Sequence, residues 1–131
     1  MDVFLGSSKS PKDSIKQAME LNKKAMALDD SLPNAHSQLG LLYTMTRQHD
    51  KGVAEAELSV ELDPNSASAH DLLGMTLNFA GRPEEAIPVF KKAIRLEPFA
   101  PSKYYYHLGG AYLRTGQCDE AISACEEAVR R

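Results

Sequence analysis

Tryptophan is absent from the 131 residues, and five tyrosines and four phenylalanines make up the whole aromatic complement. A core with so few large rings must be filled by Leu, Ala, Ile and Met, which favours helices packed closely through small side chains. Basic runs are missing as well. The formal charge is −3, and Lys23-Lys24, Lys91-Lys92 and Arg130-Arg131 are isolated pairs, so no electrostatic footprint for nucleic acid is present. No apolar stretch reaches membrane-spanning length, and residues 1–9 are too short and too polar for a secretory leader. Cysteine occurs twice, at Cys118 and Cys125. On one helix that seven-residue step separates them by about 10 Å along the axis, beyond the reach of a disulfide. Both read as free thiols in a reducing compartment, and a cytoplasmic location is expected.

Catalytic constellations are also lacking. Of the four histidines, His36 and His70 share one repeat position and are expected to be packing residues with a satisfied ring nitrogen. His49 and His107 have no Cys, Asp or Glu at metal-ligand spacing, and the cysteine spacing fits no zinc pattern. Cys125 falls at the large buried site of its repeat and is expected to be a structural thiol. Gly109-Gly110 lies within a helical pattern, not after a strand, so it is no phosphate loop. Glu84-Glu85 and Glu126-Glu127 read as solvated helix faces. The sequence therefore predicts no catalytic residues, no metal, no cofactor and no enzyme.

What the chain has in abundance is internal repetition. Leu39-Gly40, Leu73-Gly74 and Leu108-Gly109 recur at spacings of 34 and then 35, and Leu5-Gly6 stands 34 residues before the first pair. Ala18, Gly52, Ala86 and Ala121 form a second series, and Ala25, Ser59, Ala93 and Ala128 a third, both at intervals of 34, 34 and 35. Leu28, Leu62 and Leu96 make a fourth at 34.

Each period divides into two helices. Ala69, Leu73 and Leu77 form one helical stripe; Gly81-Arg82-Pro83 breaks the chain. Pro83 suits the first position of a second helix, whose Glu84 and Glu85 favour its positive end. Ala86, Val89, Phe90, Ala93 and Leu96 then recur at helical spacing until Glu97-Pro98 stops the helix. Ser10 and Pro11 open an earlier helix over 11–28 as cap and first residue.

The segments His36-x2-Leu39-Gly40-x2-Tyr43, His70-x2-Leu73-Gly74-x2-Leu77 and Tyr105-x2-Leu108-Gly109-x2-Tyr112 resemble the first helix of the tetratricopeptide repeat. Ala86-x3-Phe90 with Pro98 resembles its second helix and closing proline. The resemblance implies an all-α superhelix of antiparallel hairpins with about seven helices. It divides the chain into a partial repeat over 1–32, repeats over 33–66 and 67–101, and a repeat over 102–131 truncated at its end. The segment is expected to come from a larger protein.

Four departures stand out. Arg47 occupies the turn position of Gly81 and Gly116. Gly52 replaces an alanine, at a cost in helix propensity of about 1 kcal/mol. Pro88 is expected to kink its helix. The extra residue in Pro98-Phe99-Ala100-Pro101 is expected to tilt the last unit.

In such arrays the first helices line a concave groove. The resemblance projects it onto Asn34, Ser37, Leu41, Thr44 and Met45; Ser68, Asp71, Met75, Asn78 and Phe79; and Lys103, Tyr106, Gly110, Leu113 and Arg114. Leu41, Met45, Met75, Phe79 and Leu113 would form an apolar floor, with polar groups at its edges. Among chaperone-tail binders of the family, successive first helices supply a lysine–asparagine–arginine clamp. Only Lys103 stands at a clamp position here, which argues against that subclass. The implied function is a protein–protein interaction scaffold taking a peptide or helix in the groove, with no nucleic-acid or membrane partner. Self-association through uncapped repeat ends, or service as a regulatory arm of a multidomain bacterial enzyme or transcription factor, are the alternatives.

Overall fold

The computed structural model describes residues 10–29 and 33–131, without the side chains of Pro33 and Asn34. The Leu5-Gly6 pair lies outside this set. Seven helices are described: α1 (Pro11–Leu28), α2 (Pro33–Met45), α3 (His49–Leu62), α4 (Ala67–Phe79), α5 (Pro83–Leu96), α6 (Ser102–Arg114) and α7 (Cys118–Arg130). Local chemistry explains their starts. Ser10 is extended, and its hydroxyl accepts the Asp13 N–H at 3.2 Å, with Pro11 opening α1. Ser66 caps α4 in the same way through the Ala69 N–H. Pro88 does not end α5, which runs unbroken from Pro83 to Leu96; the exposed proline simply removes one backbone donor.

The three turns inside the hairpins α2–α3, α4–α5 and α6–α7 are built alike. The residue at the turn is left-handed in each: Arg47 at φ 64°, Gly81 at 79° and Gly116 at 78°. The next N–H then reaches back to the carbonyl five residues earlier: Gln48 to Tyr43, Arg82 to Leu77 and Gln117 to Tyr112, at 2.8–2.9 Å. Arg47 therefore does the work of a turn glycine in a conformation that disfavours a side chain.

Each helix packs on its chain neighbours, and α2, α4 and α6 also pack on one another in succession. The helices α1, α3, α5 and α7 make no such contacts among themselves. Spacing is thus tighter on the α2–α4–α6 side, which makes that side the inner wall of a curved stack. The main core joins Val53 and Ala56 of α3 to Leu73 and Leu77, then Ala86 and Phe90, then Leu108, Ala111 and Tyr112, and last Ala121 and Ala124 of α7. A second cluster gathers Ala67, Ala93, Ala100 and Tyr104, so the lengthened α5–α6 connection spends its extra length burying Ala100.

Glycine sets how closely the paired helices approach. A Cβ on Gly40 would stand 2.7 Å from the Gly52 carbonyl oxygen, and one on Gly52 would meet both that of Gly40 and the Thr44 hydroxyl. The missing alanine at position 52 is therefore an accommodation to backbone contact. A Cβ on Gly74 would strike the Phe90 ring. A Cβ on Gly109 would stand 2.9 Å from the Cys125 sulfur.

Candidate interaction surface

The inner wall is supplied by α2, α4 and α6, and the anticipated groove residues separate there into three groups. Met45, Ser68, Phe79, Lys103, Tyr106, Leu113 and Arg114 are exposed. Leu41, Met75, Asn78 and Gly110 are half-buried. Ser37, Thr44 and Asp71 are buried, at 1%, 6% and 3% exposure, and drop out of any surface a ligand could touch. Their hydroxyl and carboxylate groups are consumed internally, since an unpaired polar group there would be costly. Ser37 shares a 2.5 Å hydrogen bond with Ser59 of α3, and the Thr44 hydroxyl donates to the Gly40 carbonyl. Asp71 is engaged by His107 Nδ1 at 2.9 Å. Asn34 lies on α2 with its side chain outside the described set.

Two hollows open along this wall. The tighter one, of about 200 Å³, lies between α4 and α6. Met75, Asn78 and Phe79 form one side, Tyr106, Gly110 and Leu113 the other, and Phe90, His107 and Cys125 the base. A wider one of about 480 Å³ is lined by Thr44, Met45, Arg47, His49 and Phe79. Phe79 is common to both, so Met45 and Leu113 are linked through one continuous apolar strip. The strip is held in place by ties between its walls. Arg114 Nη1 donates to the Asn78 carbonyl at 2.7 Å, and the His107 ring lies 5.8 Å from that of Phe90. The side-chain oxygen of Asn78 is buried with no hydrogen-bond partner among the described residues, as is Nδ1 of His49 at the wider hollow.

Phe90, His107 and Cys125 were not among the groove positions that sequence suggests. Cys125 has a legible signal: Ala56, Phe90 and Cys125 fall at intervals of 34 and 35, opposite Gly40, Gly74 and Gly109. A cysteine where the preceding hairpin has a phenyl ring leaves space, and Cys125 is half-buried, not sealed in the core. Cys118 and Cys125 are both free. His107 has no such signal, because its counterparts in the earlier units are Leu72 and Gln38.

The two remaining histidines are packing groups. His36 Nδ1 meets Glu55 at 2.6 Å, and His70 Nε2 meets the Pro64 carbonyl at 2.9 Å. Electrostatic perturbation is mild and peripheral. Burial, with Asp71 and Glu97 nearby, raises the Tyr104 hydroxyl above its usual range. Hydrogen bonding between Arg82 and Glu85 lowers the carboxylate and raises the guanidinium at an exposed helix start. No group of three or more His, Cys, Asp and Glu among the described residues is placed to hold a metal ion. None of the described helices is long and apolar enough to cross a membrane.

A sequence profile of the tetratricopeptide repeat matches residues 72–131. Residues 72–131 belong to the tetratricopeptide-repeat family. The chain is 28% identical over 81 residues to the small glutamine-rich tetratricopeptide repeat-containing protein 2 of Mycosarcoma maydis. The protein of the same name from Saccharomyces cerevisiae is 26% identical, also over 81 residues. These alignments cover 62% and 60% of this chain, which spans 23% of the length of each relative. Among solved structures, a crystal structure of MamA superposes with a TM-score of 0.74 and 26% identity, covering 88% of this chain and 67% of that one. The MamA fragment 41-end from Desulfovibrio magneticus RS-1 reaches 0.77 at 23% identity, which supports the fold alone.

Proposed function

We propose that this tetratricopeptide array is a protein-binding scaffold, not a catalyst, and that it takes an extended or helical segment of a partner along α2, α4 and α6. The observation that carries the reading is the strip Met45–Phe79–Leu113. These large apolar side chains are at least half exposed yet aligned over two adjoining hollows on the concave side. Contiguous apolar surface of this kind marks interaction sites in soluble proteins. Met45 and Met75 allow the floor to adapt to a ligand's shape. Tyr106 adds a rigid amphipathic contact at the rim. Lys103 and Arg114 favour acidic groups beside the apolar anchor. The buried Asn78 oxygen offers an acceptor to a donor that reaches the base of the hollow.

Panning a displayed peptide library against the 131-residue chain tests it. Selected peptides should carry a large apolar residue flanked by carboxylates, and should lose binding to the Met75→Glu/Phe79→Glu variant while that variant keeps its helical circular dichroism. Peptides that bind the variant as well as the parent would refute the groove.

A further inference from the structure

The wider hollow of the inner wall has an electrostatic character that the apolar strip does not explain. It lies in the middle of the chain, between the α2–α3 turn and the end of α4, where Thr44, Met45, Arg47, His49 and Phe79 line it. Arg47 is exposed and makes no ion pair or side-chain hydrogen bond among the described residues. Its backbone is left-handed, at φ 64°, where the other two hairpins have glycine. A side chain held in a conformation that disfavours one points to a use for that side chain.

No residue lining this hollow is acidic. Along α2, α4 and α6 the one acidic residue is Asp71, which is buried and engaged by His107. More than half of the 18 acidic residues stand instead on α3, α5 and α7. Asp50, next to His49, is exposed and does not line the hollow. Its field acts on the next hairpin: the Arg82 guanidinium is raised chiefly by its hydrogen bond to Glu85, and Asp50 adds to that effect. The exposed charges on the three first helices and the α2–α3 turn are therefore all positive, although the whole chain carries −3. A guanidinium offers a carboxylate two parallel N–H donors. Met45 and Phe79 beside Arg47 shield such a pair from water and so strengthen it. The ring of His49, whose Nδ1 is buried without a partner among the described residues, adds unused hydrogen-bonding capacity at the same place.

From this pattern we infer that the wider hollow is a carboxylate subsite, in which Arg47 binds an Asp or Glu side chain of the partner segment. The inference rests on the groove reading and names what selects the ligand on the α2 side of Phe79, while Lys103 and Arg114 of α6 serve the other side. Arg47 stands in a turn and not on a first helix, so it lies outside the clamp positions by which chaperone-tail binders of the family are expected to act. Because Arg47 is unpaired in the free chain, no internal bond has to break when the carboxylate arrives. The left-handed arginine thus trades some stability of the first hairpin for recognition.

The subsite is read by panning one peptide library on the 131-residue chain, on Arg47→Gly and on Arg47→Glu. Each peptide is displayed with its C-terminus fused to the coat protein, so every carboxylate selected is a side chain. Peptides from the parent should hold Asp or Glu at a fixed distance on one side of the apolar anchor. That preference should vanish on Arg47→Gly and turn to Lys or Arg on Arg47→Glu, while the acid on the other side of the anchor persists. In fluorescence anisotropy, a synthetic parent-selected peptide should bind Arg47→Glu at least about tenfold more weakly than the parent. The gap should narrow at high salt, and replacing that acid of the peptide by Lys should reverse the order. Arg47→Gly removes a side chain from an exposed left-handed turn, so its fold is retained and the lost preference reports binding. One unchanged acid preference on the parent and both Arg47 variants would overturn the subsite and leave the groove standing. Peptides that also ignore Met75→Glu/Phe79→Glu, or a parent that selects none, would overturn the groove and the subsite together.

Discussion

The hairpins α2–α3 and α4–α5 have the same backbone plan and opposite interiors. Between α2 and α3, two backbones meet at Gly40 and Gly52, and the space beside them is filled by Ser37, Ser59, Thr44 and the His36–Glu55 pair. Between α4 and α5, one glycine faces one ring: Gly74 makes room for Phe90, which is fully buried. The first solution spends volume on close approach and must satisfy every polar group it encloses. The second puts its stabilisation into one large apolar side chain. The third hairpin, α6–α7, follows the second plan with Cys125 in place of the ring, and the hollow of the inner wall opens there. Repeat architecture thus fixes where a small residue must stand, and leaves the opposing residue free to pack, to bond or to open a site.

The sharpest test of that contrast removes the ring. Phe90→Ala should destabilise the array by about 3–5 kcal/mol, because the cavity left against Gly74 is walled by three helices and cannot collapse. Cys125→Ala, at the corresponding place in α6–α7, should cost about 1 kcal/mol, since the sulfur already borders open space. Urea unfolding followed by circular dichroism gives both values. Equal losses would mean that the two hairpins are not built on different principles.

The glycines come next. Gly40→Ala sets a methyl group 2.7 Å from a backbone carbonyl and 3.2 Å from the Ala56 nitrogen, neither of which can rotate away. A loss of about 2 kcal/mol is expected despite the better helix propensity of alanine. Gly109→Ala is tight only against the end of the Cys125 side chain, meeting the Ala121 carbonyl and Ala124 at ordinary contact distances of 3.4 and 3.7 Å, so its loss should be smaller, about 1 kcal/mol or less. Gly110→Ala, one residue on, meets nothing within 4 Å and should stabilise the fold by about 0.5–1 kcal/mol. Adjacent glycines with opposite signs in thermal unfolding would confirm that contact, not composition, decides their role.

The helices were legible because their spacing is periodic and because proline, serine and glycine mark their ends, as at Ser10-Pro11 and Gly81-Arg82-Pro83. The concave side was legible only by resemblance, and it over-reached where a repeat position holds a short polar residue. Ser37, Thr44 and Asp71 occupy positions that line the groove in general, yet each finds a hydrogen-bond partner inside the stack and turns inward. The partners of Ser37 and Asp71 lie 22 and 36 residues away, and no local pattern announces such pairings, whereas Thr44 bonds to the carbonyl one turn back in its own helix. His107 escaped notice for the same reason. Asp71 comes within its reach only after α4 and α6 have packed side by side.

Those inward-turned groups permit a finer comparison of the two seams. Ser37→Ala removes one side of the buried bond to Ser59 and should cost about 1 kcal/mol. In a double-mutant cycle with Ser59→Ala the two losses should fall short of adding by a similar amount, on the order of 1 kcal/mol. Strict additivity would mean that the α2–α3 seam is held by close backbone approach and draws nothing from its polar filling.

The smallest effect concerns the turns, where the three hairpins agree in shape and differ in one residue. Arg47 holds φ at 64° while its counterparts Gly81 and Gly116 lie at 79° and 78°. A Cβ at either glycine would meet nothing within 4 Å, so a side chain at this place is penalised by backbone conformation and not by crowding. The left-handed geometry costs a residue with a side chain about 1 kcal/mol, and glycine recovers that while losing some of it to the greater freedom of its unfolded chain. Arg47 is exposed and its removal breaks no internal bond found among the described residues, so the balance should favour glycine. Arg47→Gly should raise stability by about 0.5 kcal/mol, and Gly81→Ala should lower it by about 1 kcal/mol. Matched thermal melts of the two variants decide the matter, for a loss on Arg47→Gly would show that the arginine side chain itself secures the first hairpin in a way the other two do without.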